Sequence, residues 1–178
     1  MRWQPFLFVL LGACSGAGDV TIDITHDVCA PIAVTSATPT DIQTRGIDAA
    51  LTLWRNNGVA AIGWLDRTAL VIDPAPSPID IQFEAAAPAA RGLYDDENGV
   101  IYINDALTNP QMLEIVIAHE LGHAFGLEHV EGRPSIMNKA NLTQSITPED
   151  VAALQALWGE CRPSAPVATT SSASPPGS

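Results

Sequence analysis

The chain has 178 residues, with 20 Asp and Glu against 8 Lys and Arg, a net charge of −12 and 47% hydrophobic residues. Such a length and apolar content suit one domain with a buried core rather than two, and they exclude global disorder. The acid excess excludes nucleic acid as a partner, since a phosphate backbone needs a cationic face, and it disfavours substrates that are themselves acidic.

In chain order the first element is a leader. Arg2 precedes an unbroken apolar run, Phe6 to Leu11, too short to span a bilayer and shaped like a secretion signal over residues 1–13. The sequence Leu11-Gly12-Ala13-Cys14 resembles the lipobox of bacterial lipoproteins, in which the cysteine becomes the lipid-carrying first residue. Ordinary cleavage near Ala13, Ala17 or Gly18 is the alternative. Either way the chain is expected outside the cytoplasm, as a lipoprotein on the outer surface of a bacterial cell membrane or as a secreted protein. Any contact with the membrane would then run through the lipid. The folded domain is expected over 14–162, and the Pro-, Ser-, Ala- and Thr-rich segment 163–178 reads as a disordered tail.

Within the domain, Val20 to Thr25 (VTIDIT) alternates as a half-buried strand does, and Ala30 to Pro39 reads as loop. Thr40 or Asp41 caps a helix whose apolar face is Ile47, Leu51 and Trp54 and which Gly58 ends. Ala69 to Ile72 and Ile79 to Phe83 read as strands around a Pro-rich turn. Gly92-Leu93-Tyr94 and Val100 to Ile103 form a hairpin, with Asn98-Gly99 suited to positive φ. Asn109-Pro110 opens a second helix, and Thr147-Pro148-Glu149-Asp150 opens a third that runs to Trp158 before Gly159. Strands and helices mixed in this order predict an α/β or α+β layer structure.

The chemistry lies in His119-Glu120-Leu121-Gly122-His123-Ala124-Phe125-Gly126-Leu127-Glu128-His129, which holds three of the four histidines in the chain. Histidines at i and i+4 share one helix face and can reach one ion. Glu120 lies one step along, where it can touch a water on that ion without ligating it. Gly126 can turn the chain back so that His129 supplies a third nitrogen. Three protein ligands with an open fourth position is the pattern of catalytic zinc; structural zinc prefers four closed, cysteine-rich ligands. A helix with incidental surface histidines would leave both the clustering and Glu120 unexplained.

These residues match, position for position, the long zinc motif H-E-x-x-H-x-x-G-x-x-H of the metzincin metallopeptidases. Ser135-Ile136-Met137 resembles the methionine turn that lies downstream in that family, with Met137 as an apolar floor under the metal. Leu51-Thr52-Leu53-Trp54, the IDIQF strand and the run from Ile146 to Gly159 look most like the matrixins, so the chain resembles a minimal bacterial matrixin-like enzyme. The resemblance spans about residues 20 to 160. It implies a zincin-like catalytic domain: a twisted, mostly parallel five-stranded sheet with an antiparallel edge strand, and three main helices. It implies one catalytic Zn2+ on His119, His123 and His129, Glu120 as general base, and a peptide or protein substrate lying along Gly92, Leu93 and Tyr94. The enzyme is expected to act as a monomer. Departures are Val130 after the third histidine, where matrixins usually carry serine, and Lys139, where astacin-like and serralysin-like enzymes carry a catalytic tyrosine. No histidine between His26 and His119 offers ligands for a second, structural zinc, and no long propeptide is seen.

Other readings stay open. Cys29 and Cys161, near the two ends of the domain, suit a disulfide in an oxidising compartment, with Cys29 as a zinc-blocking thiol the rival. Asp95, Asp96 and Glu97 could hold Ca2+ but read better as a solvated turn, since they lack EF-hand spacing. His26 reads as a surface or strand-end residue. Asn141-Leu142-Thr143 is a glycosylation sequon only in a eukaryotic host. The alternative to a peptidase is a catalytically inactive zinc-binding surface lipoprotein, which the presence of Glu120 disfavours.

Overall fold

The computed structural model describes residues 22–66, 78–86, 90–139 and 145–161. The leader with Cys14, the ALVI strand, the Asn141 sequon and the tail all lie outside them. Eight elements follow in order: β1 (Ile32–Thr35), α1 (Asp41–Arg55), β2 (Ile62–Trp64), β3 (Ile79–Glu84), β4 (Gly92–Asp95), β5 (Val100–Asn104), α2 (Pro110–Ala124) and α3 (Pro148–Trp158). The strands form one five-stranded sheet of order β2-β1-β3-β5-β4, parallel throughout except for β4, which runs antiparallel to β5 at the edge. The mixed α/β architecture with three helices is therefore as expected.

Two of the strands differ from the sequence expectation. Ile22 to Thr25 forms no strand, whereas β1 lies inside the segment read as loop, and β2 follows α1. The reason is where alternation arises. β1 and β2 are buried on both faces, Ile32, Ala33 and Val34 being 2%, 3% and 0% exposed, so they show short apolar runs without a period of two. Ile22 to Thr25 alternates, yet its backbone and that of the following His26 are spent on two other elements. Asp23 N–H donates to the Asp96 carboxylate at 3.1 Å, Ile24 N–H to the Asp96 carbonyl at 3.1 Å, and His26 N–H to Ala124 O at 2.8 Å. The segment thus lashes the β4–β5 turn to the end of α2. In that turn only Gly99 takes positive φ (+69°), not Asn98.

α1 starts with a capping box in which Thr40 and Gln43 bond each other's backbone, and it ends at Arg55 with Asn56 as cap, ahead of Gly58. Its buried stripe Ile47, Leu51 and Trp54 packs against α2, and the Trp54 indole N–H donates to Ala118 O at 2.9 Å. α2 is capped by Asn109 with Pro110 at its first position. Ten of its residues are buried, as suits a helix enclosed on nearly all sides. α3 is peripheral, with Asp150 and Leu154 its buried residues, and it is held by Trp158 Nε1–H on Phe125 O at 2.8 Å. Cys29 and Cys161, Cα atoms 4.9 Å apart, are joined as a disulfide between the segment before β1 and the end of α3.

Gly46 sets how closely the two long helices approach, because a Cβ there would sit 2.8 Å from Leu113 Cβ. Gly46→Ala is expected to push α1 from α2 and cost about 1–3 kcal/mol, read as a lower melting temperature. A variant as stable as the parent would mean the helices can separate freely.

Candidate metal centre and active site

The last turns of α2 carry His119, Glu120 and His123, and the chain reverses immediately after them. Leu127 N–H donates to Gly122 O at 2.9 Å and Gly126 N–H to His123 O at 2.8 Å, with Gly126 at φ +91°. That is the Schellman pairing, which requires a residue at ease in the left-handed region. It aims the next residues back along the helix end, so that His129 arrives beside the other two. The three rings converge. His119 Nε2 and His129 Nε2 are 3.3 Å apart, and His123 Nε2 and His129 Nε2 are 3.2 Å apart.

The tautomers follow from the outer nitrogens. His119 Nδ1 lies 2.6 Å from Ile136 O, and His123 Nδ1 lies 2.7 Å from Leu127 O. A carbonyl can only accept, so each Nδ1 carries the proton and each neutral ring turns an Nε2 lone pair inward. Burial lowers the pKa of all three imidazoles, that of His123 to about 4, with the neighbouring His119 adding to the effect there. Inward-facing lone pairs on neutral rings repel unless a cation lies between them. A tetrahedral zinc with bonds of about 2.0–2.1 Å spaces its ligand atoms about 3.3–3.4 Å apart, close to the separations seen. The residues fit the ion. Among the described residues they are also the one group of three or more ligating side chains whose donor atoms converge. Calcium finds no support, since the Asp95 carboxylate accepts from Asn98 of its own turn and Asp96 from Asp23.

Glu120 is 6% exposed, and burial pushes its carboxyl up to about 8, held back in part by a hydrogen bond from the Tyr94 backbone N–H. That bond brings the edge strand β4 against α2. Gly92 makes the approach feasible, because a Cβ there would lie 2.6 Å from Glu120 Oε1 and 2.9 Å from Val116 Cγ1. Arg91 O accepts from Asn104 N, so Arg91 and, by alternation, Leu93 turn their backbone groups to β5, while Gly92 and Tyr94 turn theirs outward. The Leu93 side chain itself is 60% exposed. Between β4 and the histidines lies a cleft of about 750 Å³, lined also by Glu128 and Lys139.

Met137 is buried beneath α2, and its sulfur lies so close to Gly122 that a Cβ there would overlap it. The turn that presents it hangs on Asp150, a residue whose place in the site sequence reasoning missed. The Asp150 carboxylate accepts from the Ser135 hydroxyl at 2.5 Å, from Ile136 N–H at 3.0 Å and from Thr147 N–H at 2.9 Å. Burial alone would raise its pKa, but these bonds outweigh that and hold it below the usual range. The chain of contacts runs from α3 through Asp150 to the Ile136 carbonyl, and so to the Nδ1 of His119. The Thr147-x-x-Asp150 capping box was visible in sequence; its second duty was not. His26, read as a surface or strand-end residue rather than a ligand, is 9% exposed, with ring Nε2 unpartnered, and belongs to no ligand group.

Residues 87–159 match the family model described as matrixin. That segment, which holds the three histidines and Glu120, is similar to matrixins. Two solved structures of myroilysin are similar to the chain. One has 16% identity and a TM-score of 0.44, covering 67% of this chain and 62% of that one. The other has 16% identity and a TM-score of 0.41, covering 81% and 68%. The chain therefore spans less than two thirds of the first of these. No curated protein matches the chain.

Two outcomes follow from this geometry. Since His123 stays neutral down to about 4 where a free imidazole ionises near 6.5, zinc is expected to remain at pH 5.5 and to leave as pH falls toward 4, read by metal analysis after dialysis. Loss centred on 6.5 would contradict the buried, preset imidazoles. Gly92→Ala is expected to leave zinc bound while turnover falls at least about tenfold, because the new methyl displaces either Glu120 or β4.

Proposed function

We propose that this chain hydrolyses internal peptide bonds of protein substrates, with Glu120 as general base and then general acid. The observation that carries the proposal is the convergence of three Nε2 atoms in one cleft with a buried carboxylate that stands outside their donor group. Zinc held by His119, His123 and His129 would lower the pKa of a water and polarise the scissile carbonyl. Glu120 takes the proton from the attacking water at its carboxylate and returns it to the leaving amine. The Tyr94 N–H fixes the orientation of that carboxylate, and Met137 floors the site from below. The substrate is proposed to lie along the free side of β4, pairing with the outward groups of Gly92, as an added strand at a sheet edge does. Leu93, whose backbone faces β5, would contribute its exposed side chain instead.

Export is part of the proposal, with the leader ending before Cys14 and lipid attached there. The Cys29–Cys161 disulfide accords with an oxidising compartment, and no helix among the described residues is long and apolar enough to cross a membrane.

Glu120→Gln removes the proton shuttle and keeps the shape. It is expected to bind zinc like the parent while casein cleavage falls about a hundredfold or more. Retained turnover would remove Glu120 from the mechanism. Absence of cleavage in the zinc-loaded parent would leave a zinc-binding module without turnover.

A further inference from the structure

The cleft carries a charge that the metal chemistry does not use. Lys139 is the sole lysine of a chain with net charge −12, and it stands two residues after Met137. It lines the same cleft as His119, Glu120 and His129. Its ammonium faces Glu131 at 3.6 Å, but the two side chains are 59% and 77% exposed. A pair so open to solvent is weak and readily exchanged for another carboxylate. The other basic residue lining the cleft, Arg91, is turned to Met112, with Nη1 3.5 Å from the sulfur. The acids there are the buried Glu120, Asp96, whose carboxylate already accepts from Asp23, and Glu128.

We infer that Lys139 is a specificity-determining residue that selects a substrate carboxylate beside the scissile bond. The inference rests on the peptidase reading above and adds a substrate class to it. A net negative chain would by itself disfavour such a substrate. At physiological salt, however, charges beyond about 8 Å are largely screened, so the nearest cation decides the sign. Lys139 and His129 line the same cleft. An ammonium on a flexible stem accepts carboxylates in many geometries, which suits a preference for a class, Asp or Glu, rather than for one residue.

The test uses zinc-loaded full chain and amidated quenched peptides that differ only in carrying Glu, Gln or Lys beside the cleaved bond. A fourth peptide is neutral there and ends in a free carboxylate close to the bond. The parent is expected to show kcat/KM about tenfold higher for Glu than for Gln, with Lys lowest. Lys139→Met should abolish the Glu-to-Gln difference, and Lys139→Glu should invert the preference toward Lys. A Glu-to-Gln ratio near one in the parent, or one unchanged in Lys139→Met, overturns the inference. Preference for the Glu peptide over the free carboxylate assigns the recognised group to a side chain, and the reverse assigns it to a chain end; both keep Lys139 as its reader. The same peptides bound to Glu120→Gln, with and without Lys139→Met, give affinities without turnover. If the parent cleaves none of the peptides, the peptidase reading falls, while these affinities still decide whether Lys139 selects carboxylate.

Discussion

Three imidazoles set edge to edge with their lone pairs pointing inward form an arrangement that neutral rings do not hold by themselves. Everything around the site serves to keep them there. Two backbone carbonyls, Ile136 O and Leu127 O, take up the outer N–H groups of His119 and His123 and so decide which nitrogen faces in. Each carbonyl is itself held. Leu127 belongs to the reversal after α2 that Gly126 permits, and Ile136 belongs to the turn that Asp150 grips from α3. The cost of burying these rings neutral and convergent is offset only when a cation takes the centre, so metal affinity and local order are coupled.

That coupling explains why a peripheral helix matters. α3 buries little apolar surface, yet it delivers Asp150, and its far end is secured by Trp158 on Phe125 and by the Cys29–Cys161 bond. The same disulfide anchors the chain that begins as the Ile22 to His26 strap, whose bonds reach both the β4–β5 turn and the end of α2. β4 and α2 are thus tied together from outside the cleft by this strap and from inside by the Tyr94 N–H on Glu120. A substrate strand added along β4 would enter a frame whose distance to Glu120 is already set by the missing side chain of Gly92.

The convergence of the three histidines was legible because it is local: eleven consecutive residues on one helix and its reversal, with spacings that helical geometry converts directly into proximity. The helices were legible for the same reason, through Thr40, Asn109 and Thr147 at their starts. The strands at the interior of the sheet were not. Ile32 to Val34 and Ile62 to Trp64 are covered on both faces, which erases the period of two, while Ile22 to His26 spends backbone bonds on the hairpin turn and on α2. Asp150 escaped notice as a site residue, and Gly92 was read as edge strand without its close approach to Glu120, because both roles depend on what faces them across the fold, at Ser135 and at Glu120, and no local pattern records that.

X-ray absorption at the zinc edge on metal-loaded full chain tests the central claim most directly. One zinc per chain with three nitrogen ligands at about 2.0–2.1 Å and a light-atom fourth neighbour is the predicted result. A sulfur ligand, a fourth imidazole, or failure of the chain to take up stoichiometric zinc would contradict it.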